Sequence, residues 1–347
     1  KPFIDKIKEK LDARVVDFMS GCLRNRLAGI DTYLLIDNSR SLTGIANDGS
    51  FDCIVSLAAL NDYERMNEKL GKIHRLLKPK GIYAGYVETS EQYSERIRGR
   101  YNFILANMIL LLSFIFERVM PKLFGIRHLV NKFPILKHHR LTKCEALGRL
   151  RYSGFRIQKL EEFDDRLHFV THKSSIPMNG PPCDGLFIKI RKVGLNGSTL
   201  QCYKLRTMHA YANYLHDYVL TNLEIDNNGK VVGDFRVPVW GKILRKLWLD
   251  EMPQLFNILK GELAFIGLRH LSQEFLELYP DDWRKERMNI RPGFVPPYYA
   301  DCPKTFEGII ESEKRYYRLK KRHPITTDVY YFMRVVINFL TLRARTG

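Results

Sequence analysis

The sequence predicts an α/β protein in two parts, an N-terminal α/β domain over residues 1–175 and a compact α+β domain over residues 183–347. Three observations predict it. Strand and helix signals alternate through the first half. An almost wholly apolar stretch with basic flanks interrupts that alternation. A turn-rich linker, Ser174-Ser175-Ile176-Pro177-Met178-Asn179-Gly180-Pro181-Pro182, then precedes a change to dense basic residues, aromatics and short motifs.

In the first part, Val15-Val16-Asp17-Phe18, Thr32 to Ile36 and Asp52 to Leu57 read as buried parallel strands. A helix is expected from Glu64 to Leu77, after which Lys78-Pro79-Lys80-Gly81 turns into a strand from Ile82 to Val87. A helix from Cys144 to Tyr152, the turn Ser153-Gly154 and strands around Phe155–Ile157 and His168–Val170 complete the domain.

The insertion covers residues 96–140. Its apolar centre, Phe103 to Phe116, would span ~21 Å as a helix, short of the ~30 Å hydrocarbon core of a bilayer. Arg96, Arg98 and Arg100 precede it; Arg118, Lys122, Arg127, Lys132, Lys137 and Arg140 follow, with Pro121 breaking the helix. Positive charge on both sides predicts a re-entrant or interfacial membrane segment with both ends on one face. A buried core helix is the alternative.

With 347 residues the chain can hold two substantial cores, and a net charge of +18 calls for an anionic partner or surface. Cys22, Cys53, Cys144, Cys183, Cys202 and Cys302 are scattered, which argues for a reducing compartment and against a disulfide framework or structural zinc. His138-His139 lies in a basic run and suits a solvated or headgroup-facing role. Nucleic acid is not expected as a partner, since the cations cluster around apolar segments with no recognition-helix or zinc-finger pattern.

The second part holds the motifs with chemistry. Arg191 to Gly197 is a strand entering an Asn-Gly turn, a hairpin signal, and Gln201 to Met208 is the returning strand. Alternation places Lys204 and Arg206 on one face, a phosphate cradle in outline. Asp234 and Arg236 follow, then the window from Arg245 to Ile258. There Asp250 and Glu251 precede Pro253, with Met252, Leu255, Phe256 and Leu259 at helical spacing and Lys260-Gly261 as the stop. This puts Asp250 near a helix N-cap, where free N–H groups favour its ionised form. An ionised aspartate beside a cationic anchor is a nucleophile for phosphoryl chemistry. Arg269 and Arg291-Pro292-Gly293 close the series.

Two resemblances attach to these residues. Phe51 to Val55 with His74 to Gly81, and Gly154-Phe155, are similar to the later half of class I S-adenosylmethionine methyltransferases. This implies a Rossmann-like domain, degenerate because Asp17-Phe18-Met19-Ser20-Gly21-Cys22 stands where the glycine-rich turn belongs. Asp37, at the end of the second strand, could hold a ribose. From about Phe187 to Asp328 the ordered motifs closely resemble bacterial sugar transferases, the monotopic phosphoglycosyl transferases. That resemblance implies transfer of a sugar phosphate from a nucleoside-diphosphate sugar to polyprenyl phosphate through an aspartyl intermediate, at the start of a surface glycan pathway. It implies Asp250 as nucleophile and Glu251 as a catalytic carboxylate that helps hold Mg2+. Lys204, Arg206, Arg245 and Arg269 would bind phosphate, with Asp234, Arg236 and Arg291 as further candidates. It also implies an anionic membrane surface at the cytoplasmic face of a bacterial inner membrane, and it allows a homo-oligomer. The apolar face of Tyr330, Phe332, Val335, Val336, Phe339 and Leu340 would either lie in the interface or pack onto the catalytic domain.

The chain departs from that pattern at three places. No membrane-dipping helix directly precedes Gly185-Leu186-Phe187. The family's Gly-Pro-Arg-Pro appears as Gly267-Leu268-Arg269-His270, and Phe294-Val295-Pro296-Pro297-Tyr298-Tyr299 replaces a Thr-Gly segment. The competing readings are an S-adenosylmethionine-dependent methyltransferase and an altered sugar transferase homologue acting on a different lipid or acceptor.

Overall fold

Five strands of the N-terminal unit form one sheet in the order β1-β2-β3-β5-β4, with β1 Tyr33–Ile36, β2 Phe51–Ala59, β3 Leu77–Val87, β4 Phe155–Phe163 and β5 Arg166–Lys173. The first three are parallel, and β5 runs antiparallel to both β3 and β4. Cys53, Ile54 and Val55 are buried in succession because both faces of β2 are covered. The helix Met66–Leu76 supplies the crossover that a parallel β2–β3 pair requires, burying Leu70, Ile73 and Leu76.

The computed structural model describes residues 13–23, 30–37, 48–63, 65–115, 140–178, 185–224 and 231–341. Expectations placed on Glu64, on Phe116, on Arg118 to His139, on the Asn179–Pro182 part of the linker and on Cys183 lie outside them.

Two expectations in this unit are corrected. Val15 to Phe18 belong to a helix, Ala13–Leu23, that packs Val16, Phe18 and Met19 against the sheet. A run of four apolar-rich residues has too little length for period to separate strand from helix. The apolar insertion is helical from Phe103 to Phe114, capped by the Asn102 side chain accepting from Leu105 N–H. It is not a buried core helix. Phe103 and Ile104 are 83% and 80% exposed, and Met108, Leu111 and Leu112 are exposed as well. Among the described residues no helix is long and apolar enough to cross a membrane.

The chain divides into Lys1–Asp184 with His209–Arg236, and Gly185–Met208 with Val237–Gly347. The compact units differ in their bounds from the two parts that the motifs outline, the second of which is residues 183–347. Residues 209–236 belong to the N-terminal unit because they bury Tyr211, Ala212, Leu215 and Val219 there. Helix Lys143–Tyr152 receives them: Tyr152 packs edge-on to Tyr211 and Tyr214, and Arg149 donates to the Tyr211 hydroxyl at 3.2 Å. Gly148 permits this approach, since a Cβ there would collide with Tyr211.

The C-terminal unit opens on the hairpin β6 Phe187–Val193 and β7 Thr199–Leu205. Its turn takes Asn196 and Gly197 into the left-handed region at φ 54° and 72°, as the Asn-Gly pair predicts. Two short parallel strands, β8 Ala264–Ile266 and β9 Gly293–Val295, sit over the helices Phe306–Arg322 and Pro324–Leu340. Leu268, Leu276, Trp283, Tyr316, Tyr331 and Val335 form the core. The last helix thus packs onto the unit through Tyr331 and Val335, while Tyr330, Met333, Ile337 and Leu340 face outward.

The Arg-Pro-Gly motif has a packing reason. A Cβ on Gly293 would fall inside contact distance of Gly267 N and Cα, where β9 passes the end of β8. Gly293→Ala is expected to cost about 3 kcal/mol through overpacking, read as a lower melting temperature of the full chain. An unchanged melting temperature would show that this crossing can relax.

Candidate active site

The helix that carries the acidic pair is inverted. Asp250 and Glu251 are 7% and 8% exposed and Gln254 and Asn257 are fully buried, whereas Phe256 and Leu259 are 61% and 83% exposed. The apolar residues at helical spacing therefore face outward, and the polar residues face in. The expected α-helix begins as a 3-10 turn, Leu249–Gln254, with Pro253 inside it, before Leu255–Leu259 continues as α-helix. Trp248 caps the turn from a left-handed conformation at φ 59°, strain that its ring offsets by packing on Phe294, Tyr299 and Phe339.

Asn257 explains why polar residues can be buried here. Its amide donates to Gln201 O at 2.8 Å and to Glu262 Oε2 at 2.6 Å, and its Oδ1 accepts from Tyr203 N–H at 3.2 Å. One side chain thus satisfies the backbone of β7 where no further strand pairs with it. This fixes the helix against the strand that bears Lys204.

Lys204 shares a strand face with the buried Leu200 and Cys202, so its ammonium points into the unit. It donates to Glu251 Oε1 at 2.6 Å and lies 3.8 Å from Asp250 Oδ2. Arg269 approaches the same Glu251 oxygen at 4.0 Å. The Gln254 amide donates to Glu251 Oε2 at 3.4 Å, and its carbonyl accepts from His270 Nε2 at 2.8 Å. Burial, with Arg269 beside it, holds His270 down to about 3, so its imidazole is neutral and Nε2 carries the proton donated to Gln254.

The two carboxylates are driven apart. Burial raises the Asp250 carboxyl above the usual 3.8; Lys204 opposes this and the adjacent Glu251 charge adds to it. Burial also acts to raise Glu251, but the Lys204 charge and hydrogen bond, with Arg269, outweigh it and hold that carboxyl below its ordinary value. The N-cap expectation for Asp250 is therefore corrected, because desolvation exceeds the help from helix-end N–H groups. Glu251 is the committed anion, and Asp250 is the less compensated one.

The remaining predicted residues separate. Arg245 donates from Nε to Thr207 Oγ1 at 2.8 Å and lowers the Asp250 carboxyl through its charge. Arg206 donates to Gly185 O at 2.6 Å, and Arg291 is exposed without a hydrogen bond or ion pair among the described residues. Asp234 and Arg236 fall in the N-terminal unit, paired with each other at 2.7 Å. Sequence reasoning missed Lys192, Gln254, Asn257, His270, Tyr298 and Tyr299. Lys192 lies on the same hairpin face as Cys202 and Lys204 by register, and burial, then the Arg269 charge, lower its pKa. Its alternation with Ile188 and Ile190 was the signal that could have found it.

In the N-terminal unit a separate pocket of about 240 Å³ opens beside Ser56, Gly85, Tyr86 and His168. The segment expected to replace a glycine-rich turn, Asp17 to Cys22, is helical there.

The buried acidic pair, its lysine and its arginine occur in motif order within residues 176–340, which match the bacterial sugar transferase family. This stretch is a bacterial sugar transferase domain. Residues 27–85 match a methyltransferase domain, giving the N-terminal unit its methyltransferase-like α/β fold. The sugar transferase domain is 39% identical over 115 residues to the exopolysaccharide production protein ExoY of Sinorhizobium fredii, covering 32% of this chain and 50% of that protein. It is 36% identical over 97 residues to the undecaprenyl-phosphate galactose phosphotransferase of Salmonella typhimurium, covering 26% of this chain and 20% of that protein. The chain spans half or less of the length of these curated relatives. A solved methyltransferase from Methanosarcina mazei aligns with 39% of this chain and 66% of its own at 15% identity, with a TM-score of 0.26.

Proposed function

We propose that this chain is a membrane-associated phosphoglycosyl transferase that moves a sugar phosphate from a nucleoside-diphosphate sugar to polyprenyl phosphate. The observation that carries this reading is the buried Asp250–Glu251 pair, in which Lys204 bonds one carboxylate at 2.6 Å and stands 3.8 Å from the other, whose carboxyl burial raises. An Asp250 oxygen attacks the β-phosphorus of the donor. The bond from that phosphorus to the bridging oxygen breaks, and the nucleoside monophosphate leaves with the electron pair. A phosphate oxygen of the polyprenyl carrier then attacks the same phosphorus, regenerating the carboxylate and releasing the lipid diphosphosugar. Lys204 and Arg269 offset the repulsion between a carboxylate nucleophile and an anionic donor and stabilise charge moving onto the leaving phosphate.

The donor set suits Mg2+ in one form. Among the described residues no group of three or more His, Cys, Asp or Glu side chains could hold a metal, but Mg2+ bound to a nucleotide needs only one or two protein carboxylates. Glu251, with its Oε2 committed only to the Gln254 amide, would hold it, and the ion would supply charge neutralisation at the diphosphate.

An assay with UDP-galactose or UDP-N-acetylgalactosamine, Mg2+ and undecaprenyl phosphate tests the reading. Release of UMP with formation of lipid diphosphosugar is expected; no product from either donor would overturn it. The pH profile adds a sign. Asp250 acts as the anion, and its carboxyl titrates above 3.8, so kcat/KM falls as pH drops through that raised value. Because Lys204 lowers the same carboxyl, Lys204→Met moves the acid limb to higher pH. A limb that stays in place would assign the titration to another group.

The outward apolar residues support the membrane part. Val239, Trp240, Ile243 and Leu247 are exposed along and just after helix Val239–Lys246, interleaved with Lys242, Arg245 and Lys246, and Met252, Phe256 and Leu259 extend the apolar surface. Such faces partition into anionic interfaces through apolar burial and charge together. The helix Phe103–Phe114 of the N-terminal unit is a second such surface. Trp240→Ser with Ile243→Ser is expected to weaken binding to phosphatidylglycerol vesicles roughly tenfold or more. Wild-type flotation of that variant would remove this face from the contact.

A further inference from the structure

Arg269 lies between Leu268 and His270, so no proline ring restrains the backbone on either side of it. Its side chain is held instead. Nη1 donates to the Tyr298 hydroxyl at 2.5 Å and to the Tyr299 hydroxyl at 3.0 Å, which leaves Nη2 turned toward Glu251. The main-chain carbonyl of Arg269 accepts from Arg287.

We propose that Tyr298 and Tyr299 are positioning residues that orient the Arg269 guanidinium toward the donor's diphosphate; the proposal rests on the phosphoglycosyl transferase reading. A guanidinium is planar, so fixing both bonds from one nitrogen to two oxygens sets the plane and the direction of the remaining donors. An arginine ordered before the substrate arrives loses less rotamer freedom on binding it. Burial pushes the Tyr298 hydroxyl well above its ordinary value, so it stays protonated and accepts from Arg269 as a neutral phenol.

The tyrosines also connect the anchor to the nucleophile. The Tyr299 ring packs edge-on to Trp248, 4.8 Å away, and Trp248 caps the turn that carries Asp250 and Glu251. Asn338 fixes the other side, donating to Tyr299 O at 2.9 Å and Ala300 O at 2.8 Å. One tyrosine pair thereby sets where the phosphate anchor lies relative to the attacking carboxylate. In this chain, side-chain hydrogen bonds take over the restraint that flanking prolines would give.

The test uses the full chain with UDP-galactose or UDP-N-acetylgalactosamine, Mg2+ and undecaprenyl phosphate, following UMP release. Tyr298→Phe and Tyr299→Phe keep both rings and remove the hydroxyls. Together they are expected to lower kcat/KM for the donor ten- to a hundredfold while leaving KM for undecaprenyl phosphate unchanged. In an Arg269→Ala background the same substitutions should change nothing further, a coupling that a purely structural role would not produce. Tyr298→Phe alone carries the test if Tyr299→Phe disturbs the packing on Trp248. Wild-type kcat/KM in the phenylalanine variants, or losses that multiply with that of Arg269→Ala, would overturn the positioning role and leave the transferase reading intact. A wild-type chain that releases no UMP from either donor would remove both.

Discussion

Replacing Asp250 by Asn is expected to lower sugar-phosphate transfer roughly 10^4-fold while leaving the protein folded and as stable as the wild type, or more so. The activity loss follows from the role: an amide oxygen is a poor nucleophile toward phosphorus and cannot hold the intermediate. The stability sign follows from burial. A carboxyl whose pKa is raised in the folded state contributes stability below its unfolded value of 3.8, and that contribution is lost as pH rises through the folded value. At neutral pH the ionised Asp250 therefore works against folding, and the neutral isostere removes that cost. Lys204 keeps its 2.6 Å bond to Glu251 in the variant, so no buried cation is left unpaired. Thermal denaturation together with UMP release checks both halves. A folded variant that retains full activity would displace Asp250 as the nucleophile, and trapping of a sugar-phosphate adduct on that residue would establish it.

The largest stability effect is expected away from the reacting groups, at Glu313. This carboxylate is fully buried and receives Arg287 in a two-pronged pair, Nε to Oε2 and Nη2 to Oε1, both at 3.0 Å. Trp283 Nε1 donates to the same Oε2 at 3.3 Å. Glu313→Ala strands a buried guanidinium and an indole N–H, for a loss of about 3–5 kcal/mol. Because Arg287 also donates to the main-chain carbonyl of Arg269, the proposed phosphate anchor is expected to shift as well, and donor kcat/KM to fall with the melting temperature. A melting temperature within a degree or two of the wild type would show that water reaches the vacated space and solvates Arg287.

The contrast between these two carboxylates shows what could be read in advance. Asp250 was visible because its neighbours Arg245, Glu251 and Pro253 form a local series, and local series survive in a linear text. Glu313 was not, because it lies within a helix of ordinary charged composition, and its burial depends on Arg287 arriving from another helix. The same division runs through the site. Lys204 could be singled out as a phosphate-binding candidate from strand alternation and motif order. His270, Tyr298 and Tyr299 could not, since nothing local says that a histidine will meet Gln254 or that two phenols will hold an arginine 29 and 30 residues away in sequence.

Where the sequence reading failed, tertiary packing had overridden a local pattern. Met252, Leu255, Phe256 and Leu259 have the spacing of a core stripe, yet that spacing only says that one face is apolar. Lys204 and the Asn257 contacts to β7 decided that the polar face would turn inward. Val15 to Phe18 could have been strand or helix on local grounds, and only packing against the sheet chose helix. The apolar insertion reads as a membrane segment with a core helix as the alternative, and its exposure removes that alternative.

By itself the sequence determined the α/β organisation of the first part, the Asn-Gly hairpin, the crossover helix and the residue types of the acidic and basic cluster. All of these rest on periods of two or 3.6 residues or on turn chemistry within a few positions. The tertiary structure decided that residues 209–236 bury themselves in the N-terminal unit, that burial raises the Asp250 carboxyl, and that Arg269 bonds two tyrosines. The physical reason is common to all three: desolvation and side-chain pairing depend on what is brought near from elsewhere in the chain, and no local period encodes that.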